Sequence, residues 1–430
     1  MTRAGFARRE IGATLAGAPL MGYANRAGGA TGVHDPLHVR ALVVEAGGEA
    51  VALCSVDLCA VNEDVVAAAR ARVAAESGIA PERTLIAATH THSAPHDDDR
   101  ACWPDGLAAE IAAAVAQASA RMAPATVGAG WGTLSGHAVN RRRLEDPVDP
   151  AVFVLRVDRA YGAPLGVYFG FGCHPVVLGP DSRAVSGDWP ATASRVLESE
   201  LGPDAVAVFA QGACADVNPL TDGVRERIAA ASTVSGQLEA VPYYGSADGA
   251  GEPFDVGDRT GGTFAEAERL GRAIADEVRR VHRGLAPTAV TGVWTRRLAL
   301  GRPPGAEPRE PGPLGDHGVP RAGADAPIEL LLVGLDGPGV VLVGQPGEVF
   351  GQTGVDLRRA LRARGARHPF VVGYANGWRA YLPPADAWPD GGYEVDWARA
   401  QGLAPSLQDD ARTLILNAYE AQTKDEALQP

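Results

Sequence analysis

The chain has almost no lysine: of its 39 Lys and Arg residues, only Lys424 is a lysine. Arginine carries the rest beside abundant Ala, Gly and Pro, a bias that reads as GC-rich coding rather than as an adaptation. An excess of basic charge is also missing. The 52 Asp and Glu residues set a net charge of −13 at pH 7, which argues against a nucleic acid or an anionic membrane as partner. No apolar run reaches about 18 residues, so no transmembrane segment is expected. Residues Met1 to Glu10 lack the apolar core of a signal peptide, and no apolar stretch follows Arg8-Arg9 to make a twin-arginine signal. The five cysteines, Cys54, Cys59, Cys102, Cys173 and Cys214, are odd in number and form no CxxC. Such usage predicts reduced thiols in a cytoplasmic protein rather than a disulfide framework.

What is present alternates between strand and helix. Leu37–Val44 and Ala50–Val56 read as a hairpin about Gly47-Gly48. Asn62–Ser77 reads as a helix closed by Gly78, followed by a strand at Thr84–Thr89 and an alanine-rich helix at Gly106–Arg121. Further strands are expected at 125–130, 151–157, 166–171, 205–211, 329–335, 340–343 and 370–374. Further helices are expected at 191–201, 264–284, 354–364 and 407–424. The alternation predicts an α/β fold. Length alone would allow two or three domains. Polar, glycine-rich residues at about 219–262 and Pro/Gly-rich residues at about 301–325 read as surface loop excursions. The second carries Arg302, Arg309 and Arg321, which read as an exposed loop face.

The most informative stretch is Thr84-Leu-Ile-Ala-Ala-Thr-His-Thr-His-Ser-Ala-Pro-His96. An apolar strand runs into two histidines one residue apart. If the strand continues through them, His90 and His92 share a face. They also stand at a strand end, where ligands and catalytic groups concentrate. Neutral imidazole is a common metal ligand, and hydrolytic zinc usually takes three protein ligands plus water. Other predicted strands end in unusual polar loops: Gly172-Cys-His-Pro175, Gln211-Gly-Ala-Cys-Ala-Asp-Val-Asn-Pro219, Gly344-Gln-Pro-Gly-Glu-Val-Phe350 and Ala375-Asn-Gly-Trp-Arg-Ala-Tyr381. Singly, each of these is as well explained by packing or by a helix N-terminus. Their recurrence at strand ends points to one site.

Taken in order, these segments resemble the catalytic domain of the neutral/alkaline, non-lysosomal ceramidase family. The resemblance begins at Gly22-Tyr23 and Thr31-Gly-Val-His-Asp-Pro-Leu37. It runs through the His90/His92 segment, Asn140-Arg141, Cys173-His-Pro175 and Ser186-Gly-Asp188. It ends at Gln345-Pro-Gly-Glu348 and at Asn376, Tyr381 and Gly392-Tyr-Glu394. It implies a mixed-sheet catalytic domain occupying the whole of residues 1–430, and a zinc site with His90, His174, Glu348 and Tyr381 as ligands. Two imidazoles and a carboxylate suit zinc chemically, whereas Tyr381 rests on the resemblance. His92 is then the candidate for proton transfer, and Arg141 and Tyr393 match positions that contact substrate near the metal. Arg141 lies in an Arg141-Arg142-Arg143 triplet, a pattern that also suits a solvated face. Asp188 is expected to cap a helix and to support a ligand histidine.

The chain also departs from that family. Where the ceramidases have Asp-Val-Ser-Pro, this sequence has Asp216-Val-Asn-Pro219. An amide cannot act as a hydroxyl nucleophile, though Asn218 can hydrogen-bond a tetrahedral intermediate. Cys214, four residues earlier, is a poor substitute without a visible cause for a lowered pKa. The family's C-terminal β-domain has no counterpart in these residues, and the typical export signal is missing. The expectation is therefore a zinc-dependent amide hydrolase using metal-activated water. Its substrate is expected to be a soluble, small-molecule acyl-amide that need not be ceramide. A zinc esterase or lactonase, an acyl-transfer enzyme and a non-catalytic binding protein on the same fold are the alternatives. The oligomeric state stays open, a homo-oligomer included.

Overall fold

The computed structural model describes residues 1–12, 15–23, 26–235, 262–301 and 327–427. Its larger sheet has eight strands in the order Val206–Gln211, Pro164–Phe171, Ala151–Arg159, Ala123–Thr133, Arg3–Ile11, Leu37–Ala46, Glu49–Val56 and Thr84–Ala88. The two outermost pairings are parallel and those between are antiparallel. A second sheet orders Val293–Leu300, Ile328–Leu335, Val340–Gly344 and His368–Val372, with only the last pair parallel. Both sheets are mixed and the fold is α/β, as the alternation of elements predicts.

Side-chain alternation explains the layering. In Leu37–Ala46, Leu42 and Val44 point toward the second sheet and join Leu331, Val333, Leu342 and Phe370 in one apolar layer. Their neighbours Ala41 and Val43 point the other way, into a layer shared with Val66, Val73, Ile111 and Val115 of helices Glu63–Ser77 and Leu107–Ala120. Helices Asp188–Leu201 and Phe264–Gly284 cover the other half of that outer face through Trp189, Leu197, Ile274 and Val278. Helices Gly351–Arg362 and Leu407–Ala427 pack on the second sheet, so the layers run helix, sheet, sheet, helix.

Several expected elements fall where the pattern placed them. The hairpin turns on Gly47 and Gly48, both at positive φ (66° and 85°), as a two-residue turn of that hand requires. Phe264–Gly284 begins with a capping box between Thr263 and Glu266. Other expectations need correction. The excursion expected from residue 219 contains a helix, Asp222–Ser235; its residues 236–261, and those expected at 301–325 apart from Gly301, lie outside the described residues. The helix expected to start at Gly354 starts at Gly351. The strands Arg3–Ile11 and Val293–Leu300 and the helix Tyr393–Ala400 were not anticipated. Among the described residues no helix is long and apolar enough to cross a membrane. The five cysteines are all unpaired and buried.

One consequence concerns acid stability. Burial, with Arg156 adding to it, pulls His282 down to about 4, against about 6.5 in an unfolded chain. On acidification the unfolded state therefore takes up the proton first. The contribution of His282 is complete above pH 6.5 and is lost as pH falls from there to about 4. A His282→Gln variant is expected to show a flatter acid limb in urea unfolding. The difference from wild type should change by up to about 1.4 kcal/mol per pH unit in that window. A difference independent of pH would contradict this.

Candidate metal centre

The ends of both sheets meet at one place. Asn376 follows the strand His368–Val372 and crosses to the first sheet. Its backbone N–H donates to Ile86 O (2.7 Å), and its Oδ1 accepts from Ile86 N (2.9 Å). Ala88 N donates to Tyr374 O at 3.1 Å. These bonds end the strand at Ala88 and turn the chain out. His90 lies beyond the strand, with φ of 69°. The expectation that His90 and His92 share a strand face is thus overturned. The turn at His90, not strand alternation, brings the two rings together, their Nε2 atoms 3.1 Å apart. Asp188, Tyr374, Asn376 and Ala380 also have positive φ. Such strained positions concentrate at functional sites.

Three side chains converge there. Glu348 Oε2 lies 3.3 Å from His174 Nε2 and 3.7 Å from His90 Nε2. Bonds of about 2.0–2.1 Å to a tetrahedral ion place ligand atoms about 3.3–3.4 Å apart, close to this spacing. The other ring nitrogens are already committed. His90 Nδ1 donates to Cys59 O (2.7 Å) and His174 Nδ1 to Cys214 O (2.7 Å). That fixes both tautomers with the Nε2 lone pairs facing Glu348, the outer support expected of ligating histidines. Burial holds His90 at about 3, with the neighbouring His174 adding to it, and holds His92 and His174 well below the usual range. All three rings are therefore neutral at physiological pH, the form that binds metal. Burial raises the Glu348 carboxyl, a cost that a cation would offset. The donor set fits a divalent ion such as zinc.

The other residues singled out from sequence surround this triad. Tyr381 pairs with Glu348 across a short parallel ladder and hydrogen-bonds its carboxylate. Its hydroxyl accepts from Arg141 Nη2 at 2.9 Å. Arg141 is only 4% exposed. Its Nη1 reaches Asn218 Oδ1 (3.3 Å) and stands 3.4 Å from His174 Nε2. Only Arg143 of the arginine triplet is exposed. Tyr393 meets the Tyr381 ring edge to face, centroids 5.5 Å apart. Burial pushes the Cys214 thiol up, and its Sγ faces Tyr374 OH at 3.4 Å. Asp188 touches no histidine; it accepts from Leu178 N and Trp189 N (2.9 and 2.6 Å) and is the first residue of its helix. It supports His174 only indirectly, because Trp189 Nε1 donates to His174 O.

Two residues beside the triad had escaped the sequence reading. Tyr374 stacks on His90 at 3.9 Å and donates to Glu348 Oε2 at 3.2 Å; an aromatic residue at a strand end carries no distinguishing pattern. Glu394 accepts from Arg141 Nε (2.9 Å) and Arg142 Nη1 (2.5 Å). Its place beside Tyr393 in a family segment was the available signal.

Fold and site together define an α/β protein with a buried His–His–Glu cluster suited to a metal ion. A family model for the neutral/alkaline non-lysosomal ceramidase N-terminal domain matches residues 3–237. The chain belongs to that family. It is similar to the neutral ceramidase of Mycobacterium tuberculosis, 28% identical over 257 residues, covering 50% of this chain and 40% of that relative. It is also similar to the neutral ceramidase of Pseudomonas aeruginosa, 24% identical over 467 aligned residues, covering 91% of this chain and 68% of the other. The crystal structure of neutral ceramidase from Pseudomonas aeruginosa superimposes with a TM-score of 0.77 at 20% identity, over 99% of this chain and 75% of that one. At that identity the superposition speaks for the fold alone. The chain thus spans less than half of the mycobacterial relative.

Proposed function

We propose that this chain is a zinc-dependent hydrolase that removes an acyl group from nitrogen. The observation carrying the reading is the convergence of His90, His174 and Glu348, each with its tautomer or charge suited to a divalent ion. His90, His174, Glu348 and Tyr381 are the proposed ligands. When bound, the ion supplies Lewis acidity, lowering the pKa of water and polarising a carbonyl. His92 directs Nε2 toward the triad, and in the neutral tautomer protonated at Nδ1 it accepts and returns a proton at Nε2. Gly22 makes room for its ring, since a Cβ there would lie 2.4 Å from His92 Cγ. Arg141 orients the Tyr381 hydroxyl, and Tyr393 borders the site beside it. Guanidinium can only donate, so Asn218 must offer it Oδ1 and keeps Nδ2 as a donor toward a carbonyl oxygen. Water rather than a side chain is then the nucleophile, because neither an amide nor a buried, proton-bound thiol can serve.

The test is metal content with a paired substrate panel. Purified wild type should hold one zinc per chain, and His90→Ala should hold little. Acyl-amides should be cleaved faster than the matching esters, relative to their uncatalysed rates. Equal zinc in both proteins overturns the metal reading. Faster ester cleavage on that scale makes the chain an esterase or lactonase instead. Bound zinc without turnover on either set would leave a binding protein on this fold.

A further inference from the structure

The segment before residue 30 is tied to the histidine loop. Met21 N donates to Ala94 O at 2.9 Å, and Leu20 bridges Pro95. Tyr23 meets the His92 ring edge to face, centroids 5.0 Å apart, and its hydroxyl donates to Leu178 O. Arg26 lies over the Tyr23 ring, its guanidinium carbon 4.8 Å from the ring centre. Arg26 and His92 thus both contact the Tyr23 ring.

The donors of Arg26 are unevenly used. Nη1 makes two long bonds to carbonyls, Leu20 O and Met21 O, each 3.4 Å. Nε and Nη2 are buried and make no hydrogen bond. Those two N–H groups lie on one edge of the guanidinium plane, the edge that holds a carboxylate in bidentate fashion. No carboxylate of the described residues pairs with Arg26, whereas Arg141 is taken up by Glu394, Tyr381 and Asn218. A buried cation without a counter-ion is costly, and burial does lower the Arg26 pKa. The plane is nonetheless held by the tyrosine ring and the two carbonyls, so the unpaired edge is preorganised.

We infer that Arg26 is the anion-binding residue of the active site and that the substrate carries a carboxylate close to its scissile amide, as an N-acyl amino acid does. The inference rests on the hydrolase reading for the word substrate, but the subsite itself stands on the geometry of Arg26. It separates this site from one built for a neutral amide. A carboxylate bound there would also lie beside the Tyr23 and His92 rings, which would orient the amide toward the triad.

The experiment compares N-hexanoylglycine with N-hexanoylglycinamide, which differ only in carboxylate against carboxamide. Binding to the zinc-loaded enzyme is measured by calorimetry, and cleavage is followed in parallel. Wild type should bind the carboxylate about 10- to 100-fold more tightly, the range for charge-assisted bonds. Arg26→Met should abolish the preference; Arg26→Lys, a point charge without the fork, should keep part of it. Arg26→Gln serves if the methionine variant does not fold. Equal affinities in wild type, a preference that survives Arg26→Met, or no binding of either compound overturns the proposal. Preferential binding without cleavage keeps the anion subsite and removes the hydrolase reading. Cleavage of both amides at one rate does the opposite.

Discussion

Replacing His174 with alanine is expected to remove bound metal and reduce turnover by at least about 10³-fold, since activation of water by the ion is lost. His174 is fully buried, and its position is over-determined. Its backbone N donates to Val217 O, its Nδ1 to Cys214 O, and its carbonyl accepts from the Trp189 indole. Arg141 Nη1 stands only 3.4 Å from His174 Nε2. With the ring gone, that guanidinium can close on Glu348 and occupy the metal position with a cation of its own. Mass spectrometry of metal content and thermal unfolding with added zinc measure the result. Wild type at zinc 100-fold above its Kd should gain about 2.7 kcal/mol, and His174→Ala should gain none. A variant that still takes up one zinc per chain would remove His174 from the ligand set.

Much of this arrangement could be read before the fold was known, and the reasons differ by residue. Leu37–Ala46 and Glu49–Val56 are largely apolar runs on either side of a glycine pair, and Phe264–Gly284 carries its own capping box. Local chemistry suffices for such elements. Arg3–Ile11 was invisible because Arg8, Arg9 and Glu10 break its apolar pattern, and their partners Glu198 and Glu110 are distant in sequence. Val293–Leu300 hides in the same way behind Arg296 and Arg297. In the site, ligand-type residues at strand ends were legible as types. That they share one site was read from their recurrence and the family resemblance, but how they meet was not, because it depends on the positive φ of His90 and on Asn376 bonding to Ile86 across the sheets. Tyr374 and Glu394 act through contacts with residues 26 or more positions away, which no local pattern reveals.

Glu394→Gln is expected to weaken the site without touching any proposed metal ligand. Burial pushes the Glu394 carboxyl up, but Arg141 and Arg142 pull harder the other way, and it ends below its usual range. It is therefore charged at neutral pH and neutralises Arg141 inside the protein, where both are buried. Without that charge, the Arg141 cation is left beside His174, Tyr381 and the place a dication would occupy. Two effects follow. The unpaired buried cation should cost about 3–5 kcal/mol of stability, read by urea unfolding. Zinc affinity should fall about 10- to 100-fold, the usual range for a residue supporting metal ligands. The depressed carboxyl fixes the sign of the pH effect: its contribution is complete above the unfolded value near 4.3 and is lost as pH falls through the lower folded value. The variant should therefore differ most from wild type at neutral pH and converge with it in acid. Glu394→Asp should restore part of the zinc affinity, since the charge returns on a shorter arm. If Glu394→Gln lowers stability but leaves zinc affinity unchanged, Glu394 only braces the helix Tyr393–Ala400 against Arg142, and the neutralisation of Arg141 does not govern the centre.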